Sequence, residues 1–220
     1  MLLLAADTTT ANSSVALADG EEILAEVRLG RQESHSRTLL PGIEFLLRSS
    51  GRRPADVEAW AVAVGPGAFT GLRVGISTIQ GLALASSRPC VGVSALHALA
   101  AGVAGLAPRI VAVMDAFRGE VYAQVFDAAA RPAGPPRLGR LQALLPSLPA
   151  EAAFVGSPLL ACRVELARAL PGALFPEHNP FLAAEVARLG AREVAAGRTL
   201  SADGLRPLYL REPDIRAPKA

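Results

Sequence analysis

Lysine is almost missing from this chain: Lys219 stands alone, and arginine supplies nearly all of the positive charge. With 22 basic against 20 acidic residues the formal charge is only +2, too little to mark a nucleic-acid-binding protein by overall electrostatics. The one local concentration, Arg48, Arg52 and Arg53, reads as a solvated loop. Cysteine is nearly as scarce. Cys90 and Cys162 lie far apart with no CxxC spacing and no adjacent histidine, so they read as small apolar residues and predict neither a disulfide framework nor a metal site. No apolar run reaches the length of a membrane span, and Met1-Leu2-Leu3-Leu4 meets Asp7 too early for a signal sequence. A globular, cytoplasmic protein with no membrane partner is expected.

The familiar catalytic signatures are missing too. No lysine follows the last glycine of Gly65-Pro66-Gly67-Ala68-Phe69-Thr70-Gly71, so this is not a Walker loop, and GxGxxG and GxSxG are absent. His35, His97 and His178 include no pair four residues apart, the spacing that puts two imidazoles on one helix face for a metal. Each is read as a surface or packing residue. Nothing in the linear sequence assembles a catalytic constellation.

What is present centres on residues 59–75. Ala59 to Val64 is an unbroken apolar run, suited to a strand covered on both faces. Gly65 and Gly67 flank Pro66, which predicts a tight turn into a helix, with Thr70 as its cap. Along that helix Gly71, Gly75, Thr78, Leu82 and Ala85 form a stripe of mostly small residues, where another backbone could approach closely. Leu72, Ile76, Ile79 and Ala83 form a bulkier stripe of the kind that packs on a sheet. Interior glycine costs about 0.5–1 kcal/mol relative to alanine, so three of them imply that close packing returns more.

Around this centre the chain reads as strands at Leu2–Ala6, Val15–Leu17 and Ile23–Leu29, with a hairpin at Asp19-Gly20, then a helix over Ser34–Arg48. Phe45 points away from the apolar face of that helix, marking either a helix wedged inside the fold or a partner surface. Asp7, ending the first strand, is either a ligand to a phosphate-bound metal or a turn residue. After a strand at Pro89–Val93 and a helix capped by Ser94, the pattern recurs: strands at Arg109–Met114 and Glu120–Phe126, then Ala153–Val155 running into Gly156-Ser157-Pro158. Helices are expected over Leu159–Leu170 and Phe181–Ala196. The repetition predicts two α/β lobes on one plan, residues 1–104 and 105–220, with the last segment free to pack back on the first lobe.

Leu3 to Thr10, Glu33-Ser34-His35-Ser36-Arg37, Leu39-Leu40-Pro41, the block from Gly65 to Gly75, Gly81-Leu82-Ala83, Gly92 to Leu96 and Tyr209-Leu210-Arg211 together resemble the TsaB (YeaZ) family. The resemblance is dense in the first half and thin in the second, and its GPGxFTGxRxG block is highly specific. It implies an α/β, two-lobed actin-like ATPase (ASKHA) fold, with mixed sheets flanked by helices, shared with sugar kinases and the metal-dependent enzyme TsaD. It implies a non-catalytic subunit that joins a TsaD-like subunit and a TsaE-like ATPase. That complex transfers a threonylcarbamoyl group to the adenosine next to the anticodon, so tRNA is reached through the complex.

The resemblance also implies pairing, with a TsaD-like subunit or as a homodimer, through two N-lobe helices. Leu39, Ile43, Phe45, Leu72, Gly75, Ile76 and Ile79 are the expected contacts. The metal-binding histidine pair of TsaD-like proteins falls here on Ala95 and Leu99, with His97 between them on another face, so no metal or cofactor is expected. Asp7, Thr8 and Thr9 occupy the place of the superfamily's nucleotide loop, but Thr9 stands where a glycine is usual. The alternative is an ATP- or metal-dependent enzyme of the same superfamily, kinase-like or glycoprotease-like; a tRNA-binding module is a third reading.

Overall fold

The computed structural model describes residues 1–30 and 34–211; Glu33 of the family-like motif, Lys219 and the end of the expected tail lie outside them. The elements run β1 (Leu2–Asp7), β2 (Ser13–Asp19), β3 (Glu22–Leu29), α1 (His35–Ser49), β4 (Ala59–Gly65), α2 (Phe69–Ser86), β5 (Cys90–Ser94) and α3 (Ala95–Ala101). The second series is β6 (Arg109–Asp115), β7 (Val121–Asp127), β8 (Arg137–Gly139), α4 (Leu141–Leu144), β9 (Ala153–Val155), α5 (Arg163–Ala169) and α6 (Ala183–Ala195).

The first sheet has the order β3-β2-β1-β4-β5 and the second β8-β7-β6-β9. Each is built the same way. The first strand pairs antiparallel with the second and parallel with the fourth: β1 with β2 and β4, β6 with β7 and β9. Even the missing fifth strand has a trace, a parallel bridge from Ala153 to Leu174. Asp7 and Asp115 therefore end equivalent strands, while Gly65 (φ +112°) and Gly156 (φ +138°) begin equivalent turns. A Cβ on Gly156 would run into the Val113 carbonyl, so this turn needs glycine.

Strand alternation sorts the side chains into three cores. Leu2, Leu4, Val15, Leu17, Trp60 and Val62 face α1 and α2. Leu3, Ala5, Ala16, Ala18, Ala59, Ala61 and Ala63 face inward, toward α3, α6 and the second sheet. The outer face of the second sheet packs Val111, Val113 and Phe154 against Leu141, Leu159 and Leu166. The alanine-rich inner face lets α6 come close: a Cβ on Gly190 would stand 2.9 Å from that of Ala61. A helix from the second series thus covers the first sheet.

Three local expectations are corrected. The helix α2 begins at Phe69 with Ala68 in the cap position, so Thr70 lies in its first turn and is exposed. The expected helix over Leu159–Leu170 splits into a 3-10 turn, Ser157–Ala161, and α5, because the Cys162 backbone (φ −120°, ψ 12°) leaves helical geometry. The helix expected from Phe181 starts two residues later, after Asn179 folds back to accept the Phe181 amide at 3.1 Å.

Candidate functional site: the seat of the first turn and the cleft beside it

Leaving β1, the chain turns through Thr8 and Thr9 and lies against the start of α2. Thr8 donates its hydroxyl to the Gly71 carbonyl at 2.8 Å, and the Thr9 carbonyl accepts the Ala68 amide at 2.7 Å. There is no room for side chains on the α2 side. A Cβ on Gly67 would stand 2.5 Å from the Thr9 oxygen, one on Gly71 would overlap the Thr8 carbonyl, and one on Gly75 the Thr8 hydroxyl. The close approach expected of the small-residue stripe is real, and in its first half the approaching backbone is the chain's own.

Asp7 sits beneath this turn, fully buried, its Oδ1 accepting the Thr9 amide at 2.9 Å and the Thr9 hydroxyl at 2.7 Å. Its Oδ2 is buried with no partner. Burial pushes the carboxyl up to about 6, and the hydrogen bonds from Thr9 oppose that rise.

Beyond the turn a cleft of about 410 Å³ opens between the two series of elements. Thr9, Thr10 and Asn12 from the first turn face Asp115 and Phe117 from the equivalent β6–β7 turn, and Ser157 follows β9. His35 and His178 line it as well. The sequence marks each as a surface or packing residue, and nothing in their spacing announces that they line one cleft. The His35 Nδ1 is buried without a partner, and burial holds the His178 imidazole below its ordinary value. No lysine or arginine lines the cleft among the described residues, and Leu99 occupies its wall. Of the three residues assigned to a nucleotide loop, only Thr9 reaches the cleft; Thr8 is spent on Gly71 and Asp7 lies behind.

The segment after α6 returns to the other end of this seat. Leu200 exchanges backbone hydrogen bonds with Cys90, closing the free edge of β5, and the Leu208 amide donates to the Val64 carbonyl at 2.7 Å. Tyr209 stacks on Phe69 with ring centroids 5.4 Å apart, and its hydroxyl accepts from Arg73, whose guanidinium lies 4.0 Å over the Phe69 ring. Arg211 pairs with Glu120 in the β6–β7 turn.

The residues expected to meet a partner separate into two groups. Leu39, Ile43, Leu72, Ile76 and Ile79 are at most 5% exposed; Leu72 lies against the Gly65 turn and the other four pack in the core under the first sheet. Gly75 is covered by Thr8. These six are corrected: burial in their own core leaves them no surface for another chain. Phe45 is 51% exposed, and Leu40 on α1 and Leu84 on α2, which nothing in the sequence pattern singles out, share its situation.

Two halves with the same strand plan, and a cleft between the turns that follow their first strands, define an actin-like ATPase-fold protein. In agreement, the activator of 2-hydroxyisocaproyl-CoA dehydratase from Clostridium difficile, solved with bound ADPNP, superposes with a TM-score of 0.54 over 95% of this chain and all of its own, at 9% identity. Within that class residues 22–162 match the family model for TsaD, tRNA N6-adenosine threonylcarbamoyltransferase. YeaZ from Pseudomonas aeruginosa aligns with a TM-score of 0.81 and 32% identity over 95% of this chain and 99% of its own. TsaB of Escherichia coli, a tRNA threonylcarbamoyladenosine biosynthesis protein, is 42% identical over 124 residues, 56% of this chain and 53% of its own length. The chain spans about half the length of the curated relatives it matches. The chain belongs to the TsaB (YeaZ) family.

Proposed function

We propose that this chain is the non-catalytic partner subunit of a tRNA threonylcarbamoyladenosine transferase, binding and activating a TsaD-like catalytic subunit together with a TsaE-like ATPase. The observation that carries this reading is the cleft: it keeps the place of a nucleotide site, yet no lysine or arginine among the described residues lines it. A triphosphate brought there would meet Asp115 with no cationic guanidinium or ammonium opposite, so the wall does not compensate its charge. Leu99, at a position the family resemblance equates with a metal-binding histidine of TsaD-like proteins, presents only hydrocarbon. The turn that would wrap phosphate is instead locked onto α2 through Thr8.

The partner face is the outer side of α1 and α2, where Leu40, Phe45 and Leu84 are exposed. Burying a side chain of this size contributes about 1.5–3 kcal/mol, enough for a few such residues to anchor an interface. The chain also self-associates through this face when the TsaD-like subunit is absent.

The rival reading, an ATP- or metal-dependent enzyme, draws on the size of the cleft and the convergence of its two turns. Reconstitution separates the two. Modification of tRNA by TsaD-like and TsaE-like proteins should require this chain, and the chain alone should neither bind ATP stoichiometrically nor turn it over. Full-speed modification in its absence would sink the proposal, as would ATP turnover by the isolated chain.

A further inference from the structure

The segment that returns after α6 is held firmly at one point and lightly beyond it. Leu205 is 1% exposed in the core beneath α2, and its carbonyl accepts from Gln80. From there residues 206–211 run with no helix or strand, and Leu208 to Arg211 form one side of a recess of about 330 Å³. Phe69 and Leu72 of the first half and Ala116 and Tyr122 of the second line the rest of it. Leu208 and Tyr209 are 36% and 37% exposed, so burial does little to fix this stretch.

What the stretch grips is specific. In the first half it holds the loop after β4: the Leu208 amide donates to the Val64 carbonyl at 2.7 Å, while Tyr209 stacks on Phe69 and accepts from Arg73. In the second half it holds the β6–β7 turn, where Arg211 pairs with Glu120, and between the two Leu210 rests on the inner core. Both gripped loops are walls of the cleft. Ala68 lies between Val64 and Phe69 in the chain, Asp115 and Phe117 lie just ahead of Glu120, and all three line the cleft. The inner core joins the two halves along their strands; residues 208–211 join the loops beyond the strands.

We propose that Leu208 to Arg211 form a latch that holds the cleft at its observed width, and that releasing it lets the two loops part while both halves stay folded. The contacts suit a device that opens. One backbone hydrogen bond, one ring stack and one partly exposed ion pair are each weak in water, so together they hold the end of the segment without locking it. Leu205 keeps the root of the segment in place whichever state its end adopts, so a released latch stays close to its seat. The inference stands apart from the transferase reading, because nothing in it depends on which partner or reaction the cleft serves.

The test uses the full chain carrying Cys162→Ala; Cys90 is fully buried and stays out of reach of a label. Spin labels are attached at Arg48→Cys on α1 and Arg168→Cys on α5, exposed positions on helices of opposite halves. Pulsed dipolar spectroscopy of this parent should give one narrow distance distribution. Arg211→Glu, which sets a second carboxylate against Glu120, should add a longer population, and so should Tyr209→Ala. Adding Glu120→Arg to Arg211→Glu restores opposite charges and should bring back the narrow distribution. Hydrogen exchange separates release from unfolding: in Arg211→Glu the Leu208 amide should lose protection roughly tenfold, the effect of losing one such contact, while the amides of β4 keep theirs. An unchanged distribution in both single variants overturns the proposal even if the Leu208 amide is freed, because the cleft then keeps its width without the tie. Loss of β4 protection alongside the longer population overturns it as well, and so does a double variant that fails to recover the parent distribution.

Discussion

The hydroxyl of Thr8 occupies the space in which a Cβ on Gly75 would stand, so a residue at the end of the first strand dictates the composition of a helix more than sixty residues later. Three glycines of the GPGxFTGxRxG block, Gly67, Gly71 and Gly75, are there to receive the β1 turn. Gly71→Ala should therefore lower stability by about 1–3 kcal/mol, the range for overpacking a tight site. Gly81, in the same helix with nothing within 4 Å of a built Cβ, is the control: Gly81→Ala should raise stability by about 0.5–1 kcal/mol through helix propensity. Urea midpoints for both variants check the pair.

Asp7 sets a pH dependence of stability with an unusual sign for a carboxylate. Its folded value, about 6, is above the ordinary 3.8 because burial disfavours the charge. Between these values the folded state binds more protons than the unfolded one, so stability falls as pH rises from about 4 to about 6 and stays low above that. At about 1.36 kcal/mol per unit the total is on the order of 3 kcal/mol. Asp7→Asn should flatten this slope, gaining stability at pH 8 relative to the parent and little at pH 4.5. Parallel melting curves for parent and variant across pH 4–8 would contradict it.

Leu205 belongs to the core beneath α2, and Gln80 donates to its carbonyl at 3.2 Å. Leu205→Ala should cost about 2–5 kcal/mol, the range for a buried leucine. Tyr209→Ala, which removes one ring stack, should cost about 0.5–1.5 kcal/mol. Thermal denaturation of the two variants should rank them in that order.

On the outer face of the helices, Phe45→Glu should weaken association with a TsaD-like subunit by tenfold or more while changing stability by less than about 0.5 kcal/mol. Ile79→Ala should do the opposite, destabilising the chain by about 2–5 kcal/mol. Titration calorimetry together with melting temperature resolves the two effects.

Much of this fold was readable from periodicity and turn residues. The buried run Ala59–Val64, the Asp19-Gly20 hairpin, the Ser94 cap and the second strand-then-glycine turn at Gly156 all appear where the residues place them. Periodicity tells which residues share a face, but it does not tell what covers that face. Gly71 and Gly75 share a face as their spacing predicts, but what covers it is Thr8 and not a partner chain, a neighbour too remote in sequence for periodicity to show. His35 and His178 line one cleft that periodicity does not show, because each comes from a different half. Phe45 was legible because one exposed aromatic on an otherwise ordered apolar helix contradicts the pattern around it.

The helix that covers the inner face of the first sheet is encoded near the end of the chain. During synthesis the five leading strands emerge long before their cover does, and at about 5–20 residues per second the interval is roughly 5–20 s. Until residues 183–195 leave the ribosome, an alanine-lined apolar surface stays open to solvent, and a gene cut between the two series would yield a first product that never acquires its missing layer.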